Sequence, residues 1–128
     1  MASTLKINTL TGVTTAGSIA VTGEGNSTTT NLQQGLCKCW ISTPADGASI
    51  NDSFNVSSAT DTDTGKVAVN INNDMSNANY AVTLSTMQNV DQPFVGSSTA
   101  TGSYDTRAYN GSGYSDIGMR TAVHGDLA

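Results

Sequence analysis

The amino-acid sequence predicts an all-β fold: a small antiparallel β-sandwich or jelly-roll-like head preceded by an extended N-terminal β arm. Three observations carry that expectation. Apolar and polar residues alternate in several short runs, Gly, Asn, Asp and Ser punctuate those runs as turn residues do, and no stretch shows a convincing helical period. Roughly a third of the 128 residues are Ser, Thr or Asn, and only 12% are charged, about half the usual share. A net charge of -5 with 37% apolar residues does not fit a disordered chain, which couples low hydrophobicity to high net charge. The length allows one ordinary domain plus an appendage.

Residues 1–35 hold no aromatic residue and only two charges, Lys6 and Glu24, whereas every aromatic from Trp40 to Tyr114 lies further on. That contrast sets a boundary between an extended arm over 1–35 and a head domain over 36–128. Within the arm, Thr4-Leu5-Lys6-Ile7-Asn8 and Ser18-Ile19-Ala20-Val21-Thr22 alternate as short strands, set off by Gly12, Gly17, Gly23 and Gly25. Too few large apolar side chains are present for an independent core. Leu5, Ile7, Ile19 and Val21 are therefore the candidate docking residues, with a larger particle or sister arms as the surface they cover. The run Asn26-Ser27-Thr28-Thr29-Thr30-Asn31 reads as a linker, and Leu32-Gln33-Gln34-Gly35 as a single helical turn.

In the head, Leu36-Cys37-Lys38-Cys39-Trp40-Ile41 is a candidate strand closed by Pro44 and an Ala45-Asp46-Gly47 turn. Phe54 and Val56 alternate with polar partners. The segment Asp61-Thr62-Asp63-Thr64-Gly65 reads as a loop. The two clearest strands are Lys66-Val67-Ala68-Val69-Asn70-Ile71 and Asn79-Tyr80-Ala81-Val82-Thr83-Leu84, joined by residues 72–77. Residues 96–116, rich in Ser, Gly, Thr and Tyr, read as loops, and residues 117–123 as a final strand. Five to eight short strands of this kind make a sandwich or jelly-roll. The apolar set is thin for about 90 residues, so association of several copies is expected to supply further burial.

Several function classes fall away on composition. The pI is near 4.3 and no Lys/Arg cluster exists, so no nucleic-acid partner is expected. Apolar stretches are too short to span a membrane, and no signal-peptide core opens the chain, so synthesis in a cytoplasm is expected. Cys37 and Cys39 are too close along a strand to staple it and read as reduced, buried thiols. His124 is the single histidine, and no nucleophile–His–acid set can be assembled around it. The Asp residues lie in turn contexts rather than as a glycosidase pair. No metal site or cofactor is expected, because Cys37-Lys38-Cys39 lacks a second ligand pair and the Asp61–Gly65 segment lacks the rest of a calcium loop.

Recognition residues are sought instead at Tyr104, Arg107, Tyr109 and Tyr114, set among Ser103, Asp105, Asn110, Gly111, Ser112 and Gly113. Rigid aromatic rings amid adaptable polar loops suit a glycan or protein surface, so these side chains are expected to face outward. The competing reading packs the same tyrosines between subunits.

The opening Ser3-Thr4-Leu5-Lys6-Ile7-Asn8-Thr9-Leu10-Thr11-Gly12, the run from Ala16-Gly17-Ser18-Ile19-Ala20-Val21 to Asn31-Leu32-Gln33-Gln34-Gly35, Asp52-Ser53-Phe54-Asn55-Val56-Ser57-Ser58, and the ending His124-Gly125-Asp126-Leu127-Ala128 resemble small virion proteins of marine bacteriophages. Residues 85–115 lie largely outside that resemblance. It implies a non-enzymatic tail-fibre or particle-surface subunit, trimeric, with the N-terminal part facing other virion proteins and the head facing the host. It supplies no catalytic residue. The alternatives are a capsid decoration or cement protein of the same fold, and, from a different class, a glycan-cleaving tail spike.

Overall fold

Period-2 alternation becomes strand pairing wherever a partner strand is available. The computed structural model describes residues 4–13, 18–22, 29–47, 49–87 and 92–128, with the backbone alone at 92–95 and 97. The chain is all-β with antiparallel sheets, and it divides into two compact units, Met1–Leu36 and Cys37–Ala128.

In the first unit, β1 (Ala20–Thr22) pairs with β2 (Thr29–Asn31), Val21 facing Thr30. The helical turn expected after them is present as α1 (Leu32–Gly35). Asn31 caps it by accepting a hydrogen bond from the Gln34 N–H at 3.1 Å, the usual role of an Asn at this position. The linker reading fails at residues 29–31, which are strand; residues 26–28, Gly17, Gly23 and Gly25 lie outside the described residues. The strand expected over residues 4–8 is also not formed, because alternation without a neighbouring ladder leaves the backbone groups with water.

In the second unit, one sheet has the order β4-β3-β10-β7, from β3 (Cys39–Ser42), β4 (Asp52–Phe54), β7 (Ala81–Thr86) and β10 (Met119–His124). The other has the order β5-β6-β9-β8, from β5 (Val56–Asp63), β6 (Lys66–Ile71), β8 (Gln92–Ala100) and β9 (Ser103–Tyr109). Both sheets feed one core. Cys39, Ile41, Met119 and Val123 come from the first and Val67, Val69, Ile71, Tyr104 and Ala108 from the second, with Met75 and Ile117 from connections. The chain passes from the first sheet to the second at Asn55, whose φ of 57° is left-handed. Its side chain secures that corner by donating to the carbonyls of Lys38 and Asn73 and accepting from the Asn73 backbone and side-chain N–H groups, all at 2.8–3.2 Å.

Two loop expectations are corrected. Residues 61–65 are not a loop, since β5 continues to Asp63 and only Thr64 and Gly65 turn, with Gly65 at φ +65°. β5 is an edge strand with mostly exposed side chains, so Asp and Thr fit it. Residues 96–109 likewise belong to the β8–β9 hairpin. Its inward positions on β9 are Tyr104, Thr106 and Ala108, of which only the first is large and apolar. The polar Thr106 is accommodated by donating to the Val67 carbonyl at 3.3 Å.

Candidate functional site

The outward side chains of β6 and β9 are Lys66, Ala68 and Asn70, and Ser103, Asp105, Arg107 and Tyr109. Register places Lys66 opposite Arg107 and Ala68 opposite Asp105. Beyond β9 the chain turns at once. Asn110 Oδ1 accepts from the N–H groups of Ser112 and Gly113 at 3.1 and 3.0 Å, and Gly111 has φ +85°. This tight Asx turn returns Tyr114 beside Tyr109 in an isolated antiparallel bridge. The two rings meet edge to face, 5.8 Å between centroids and 85° between planes. Such a pair contributes about 0.5–1.5 kcal/mol beyond area burial.

Lys66 joins the pair from the β5–β6 hairpin. Its Nζ lies 4.8 Å from the Tyr114 ring centroid and 2.7 Å from Asp63 Oδ2. The Lys66 hydrogen bond, then the Thr64 N–H at 2.9 Å, then the Lys66 charge hold Asp63 below the ordinary carboxylate range. Gly65 is required at that hairpin on two counts. Its φ is left-handed, and a Cβ there would come within 2.6 Å of Ser115 N and 2.8 Å of Ala108 O. Its N–H donates to Asp116 Oδ1 at 2.5 Å, so the turn, the end of β9 and the segment after Tyr114 are fastened together. Arg107 leans toward the β8 backbone, where a Cβ on Gly96 would meet its Nε at 3.0 Å. That Nε is shielded from solvent and has no hydrogen-bond partner among the described residues.

Of the recognition residues expected from sequence, three converge here: Arg107, Tyr109 and Tyr114. Tyr104 does not. It is fully buried and its hydroxyl meets Thr121 Oγ1 at 2.5 Å, joining β9 to β10. The alternation that turns Tyr109 outward turns Tyr104 inward, because the two lie five positions apart on one strand, an odd offset that puts them on opposite faces of the pleat. Burial pushes the Tyr104 phenol well above its ordinary range, and the Cys39 thiol, also buried, up to about 11. Lys66 and Asp63 escaped sequence reading. Their three-residue spacing across a Thr-Gly turn was the available signal.

The docking residues expected from sequence all lie in the first unit. Leu5 and Ile7 are 79% and 51% exposed, Val21 is exposed on β1 and Ile19 is half-buried. Cys39 is buried and Cys37 is half-buried, its thiol donating to the Cys39 carbonyl at 3.1 Å. Among the described residues no group of three His, Cys, Asp or Glu side chains is placed to hold a metal, and no helix is long and apolar enough to cross a membrane. Comparison with protein-family models, with curated proteins and with solved structures finds no match.

The cluster combines three kinds of group. It offers an exposed Tyr114 ring edge, two cationic heads and the Asp63 and Asp105 carboxylates on one face. Rings of this kind take up the apolar face of a sugar or an aliphatic side chain while charged neighbours orient its polar groups.

Proposed function

We propose that this protein is a non-enzymatic structural subunit of a bacteriophage particle, a small oligomeric fibre-type protein with a β-sandwich head. The N-terminal unit docks on other virion proteins, trimerisation supplies burial the head lacks, and the Lys66–Arg107–Tyr109–Tyr114 face contacts a host-surface glycan or protein. The observation that carries this reading is the apolar surface of the first unit: Leu5, Ile7, Leu10 and Val13 are 79%, 51%, 54% and 97% exposed. Four large apolar side chains within ten residues find no core of their own, and contact with another protein is what removes such a surface from water.

Deletion of residues 1–35 tests it. The truncated chain, checked for β structure by circular dichroism, should no longer enter particles; unchanged incorporation overturns the docking role. Copy number tests the fibre assignment. A handful of copies at the tail supports it, and hundreds on the head would make the protein a decoration subunit instead.

A further inference from the structure

Sheets that end in open strands usually carry devices against pairing with other chains: short edges, charges, proline, or bulges. Three of the four edges of the two sheets of the second unit carry them. β4 has three residues and includes Asp52. β5 has two register shifts and carries Asp61 and Asp63. β8 contains Pro93 and a register shift between Val95 and Thr99. The fourth edge is β7, six residues reading Ala-Val-Thr-Leu-Ser-Thr. It has no charge, glycine or proline, and its ladder with β10 runs unbroken from Thr86 opposite Met119 to Ala81 opposite His124.

The phase of that ladder is fixed. The Met87 N–H donates to the Gly118 carbonyl at 2.9 Å, so alternate residues below it, Ser85, Thr83 and Ala81, turn their backbone groups to β10. Val82 and Leu84 turn theirs to the open edge. The side chains of these same two residues pack against the core yet are only partly buried, so the core is half closed along this side. Meanwhile residues 4–8 alternate apolar and polar, with Leu5 and Ile7 exposed and, among the described residues, without a strand partner.

We infer that residues 4–8 of a second copy add to β7 as a further strand of that sheet, with Leu5 and Ile7 beside Val82 and Leu84 on its core-facing side. The edge supplies the backbone ladder that the alternating segment lacks, and the segment supplies the apolar cover that the edge lacks. Among the described residues β7 has β10 as its hydrogen-bonded neighbour and residues 4–8 form no strand. The inference deepens the oligomeric reading above, rests on it in requiring a second copy, and assigns Leu5 and Ile7 to that copy while leaving the exposed Leu10 and Val13 of the first unit for docking.

Complementation between two full-length variants tests it. Leu5→Asp/Ile7→Asp disables the donated strand. Val82→Pro disables the edge by removing an outward N–H while leaving the ladder to β10 intact, and Thr83→Lys/Ser85→Lys does so by charge if the proline variant fails to fold. Light scattering should give wild-type protein at a multiple of 13.1 kDa and each variant at the mass of one chain. A mixture of the two variants should recover a one-to-one pair, because each retains the half the other lacks. Amides of Val82 and Leu84 should exchange at least about tenfold faster in the strand variant than in wild type. Variants that stay oligomeric, or a mixture that stays monomeric, overturn strand addition while leaving assembly by another surface intact. A monomeric wild type overturns both strand addition and the oligomeric reading.

Discussion

Replacing Tyr104 by Phe should destabilise the head far more than the same replacement at the surface residues Tyr109 or Tyr114. The hydroxyl is buried between Thr121 Oγ1, 2.5 Å away, and the Cys39 thiol. Thr121 is itself only 5% exposed, so water cannot take over the vacated bond. Leaving one buried hydroxyl without a partner costs about 1–3 kcal/mol, equivalent to a fall in Tm of about 2–8 °C per kcal/mol for domains spanning this size. Removing both partners changes the sign of the comparison. In Tyr104→Phe/Thr121→Val no orphaned hydroxyl remains, so the double variant should recover most of the loss, a coupling of about 1–2 kcal/mol in a double-mutant cycle. Tyr104→Ala, which adds a cavity, should cost about 3–5 kcal/mol. Urea unfolding followed through Trp40, the single tryptophan, measures wild type and these variants together with the Thr121→Val single that the cycle needs, five proteins in all. A Tyr104→Phe variant within about 0.3 kcal/mol of wild type, or a double variant as unstable as the sum of the singles, would refute a buried cross-sheet hydrogen bond at this place.

Other expectations follow from the same geometry. Asn55→Ala combines a left-handed backbone with four lost side-chain hydrogen bonds, so chemical denaturation should show a loss of about 2–3 kcal/mol, of which Asn55→Gly recovers roughly 1. Raising the pH should weaken the fold. Burial raises Cys39 from 9.0 to about 11 and Tyr80 from 10.0 to about 12, so the unfolded chain releases these protons first; stability should hold below about pH 9 and decline through pH 9–12, as urea melts at stepped pH will show. Tyr109→Ala/Tyr114→Ala should shift stability by about 1–2 kcal/mol at most yet abolish adsorption to host cells; retained adsorption moves recognition to another face.

Strands whose inward positions are all apolar were plain in the sequence. Lys66–Ile71 is read there residue for residue as it folds, because Val67, Val69 and Ile71 face the core without interruption. Leu32–Gly35 was legible as a single helical turn from residue propensity, although its Asn31 cap was read as linker. β9 was not, because Thr106 and Ala108 occupy inward positions and blur the alternation that would have shown Tyr104 as a core residue. β5 was hidden for a different reason: an edge strand exposed on both faces has no apolar period to display. The site was legible in composition and illegible in membership. Tyr109, Tyr114 and Arg107 stand out as residue types, whereas Lys66 reaches them only through the register that sets β6 beside β9.

That register also ties the surface cluster to the edge proposed for assembly. Tyr104 lies on β9 opposite Val69 and hydrogen-bonds Thr121, which lies on β10 opposite Leu84 of β7. A strand added to β7 would therefore abut a ladder that is fixed, through one buried hydrogen bond, to the strand bearing Arg107 and Tyr109. Each cluster is small, and aromatic contacts of about 1 kcal/mol per ring make a single copy a weak binder. Copies joined at this edge hold several clusters in one assembly, so the second contact is intramolecular and the assembly binds far more tightly than one head. Variants that dissociate the copies but leave every cluster residue in place should then lose adsorption as completely as the tyrosine variants do, and adsorption by isolated heads at comparable strength would separate recognition from assembly.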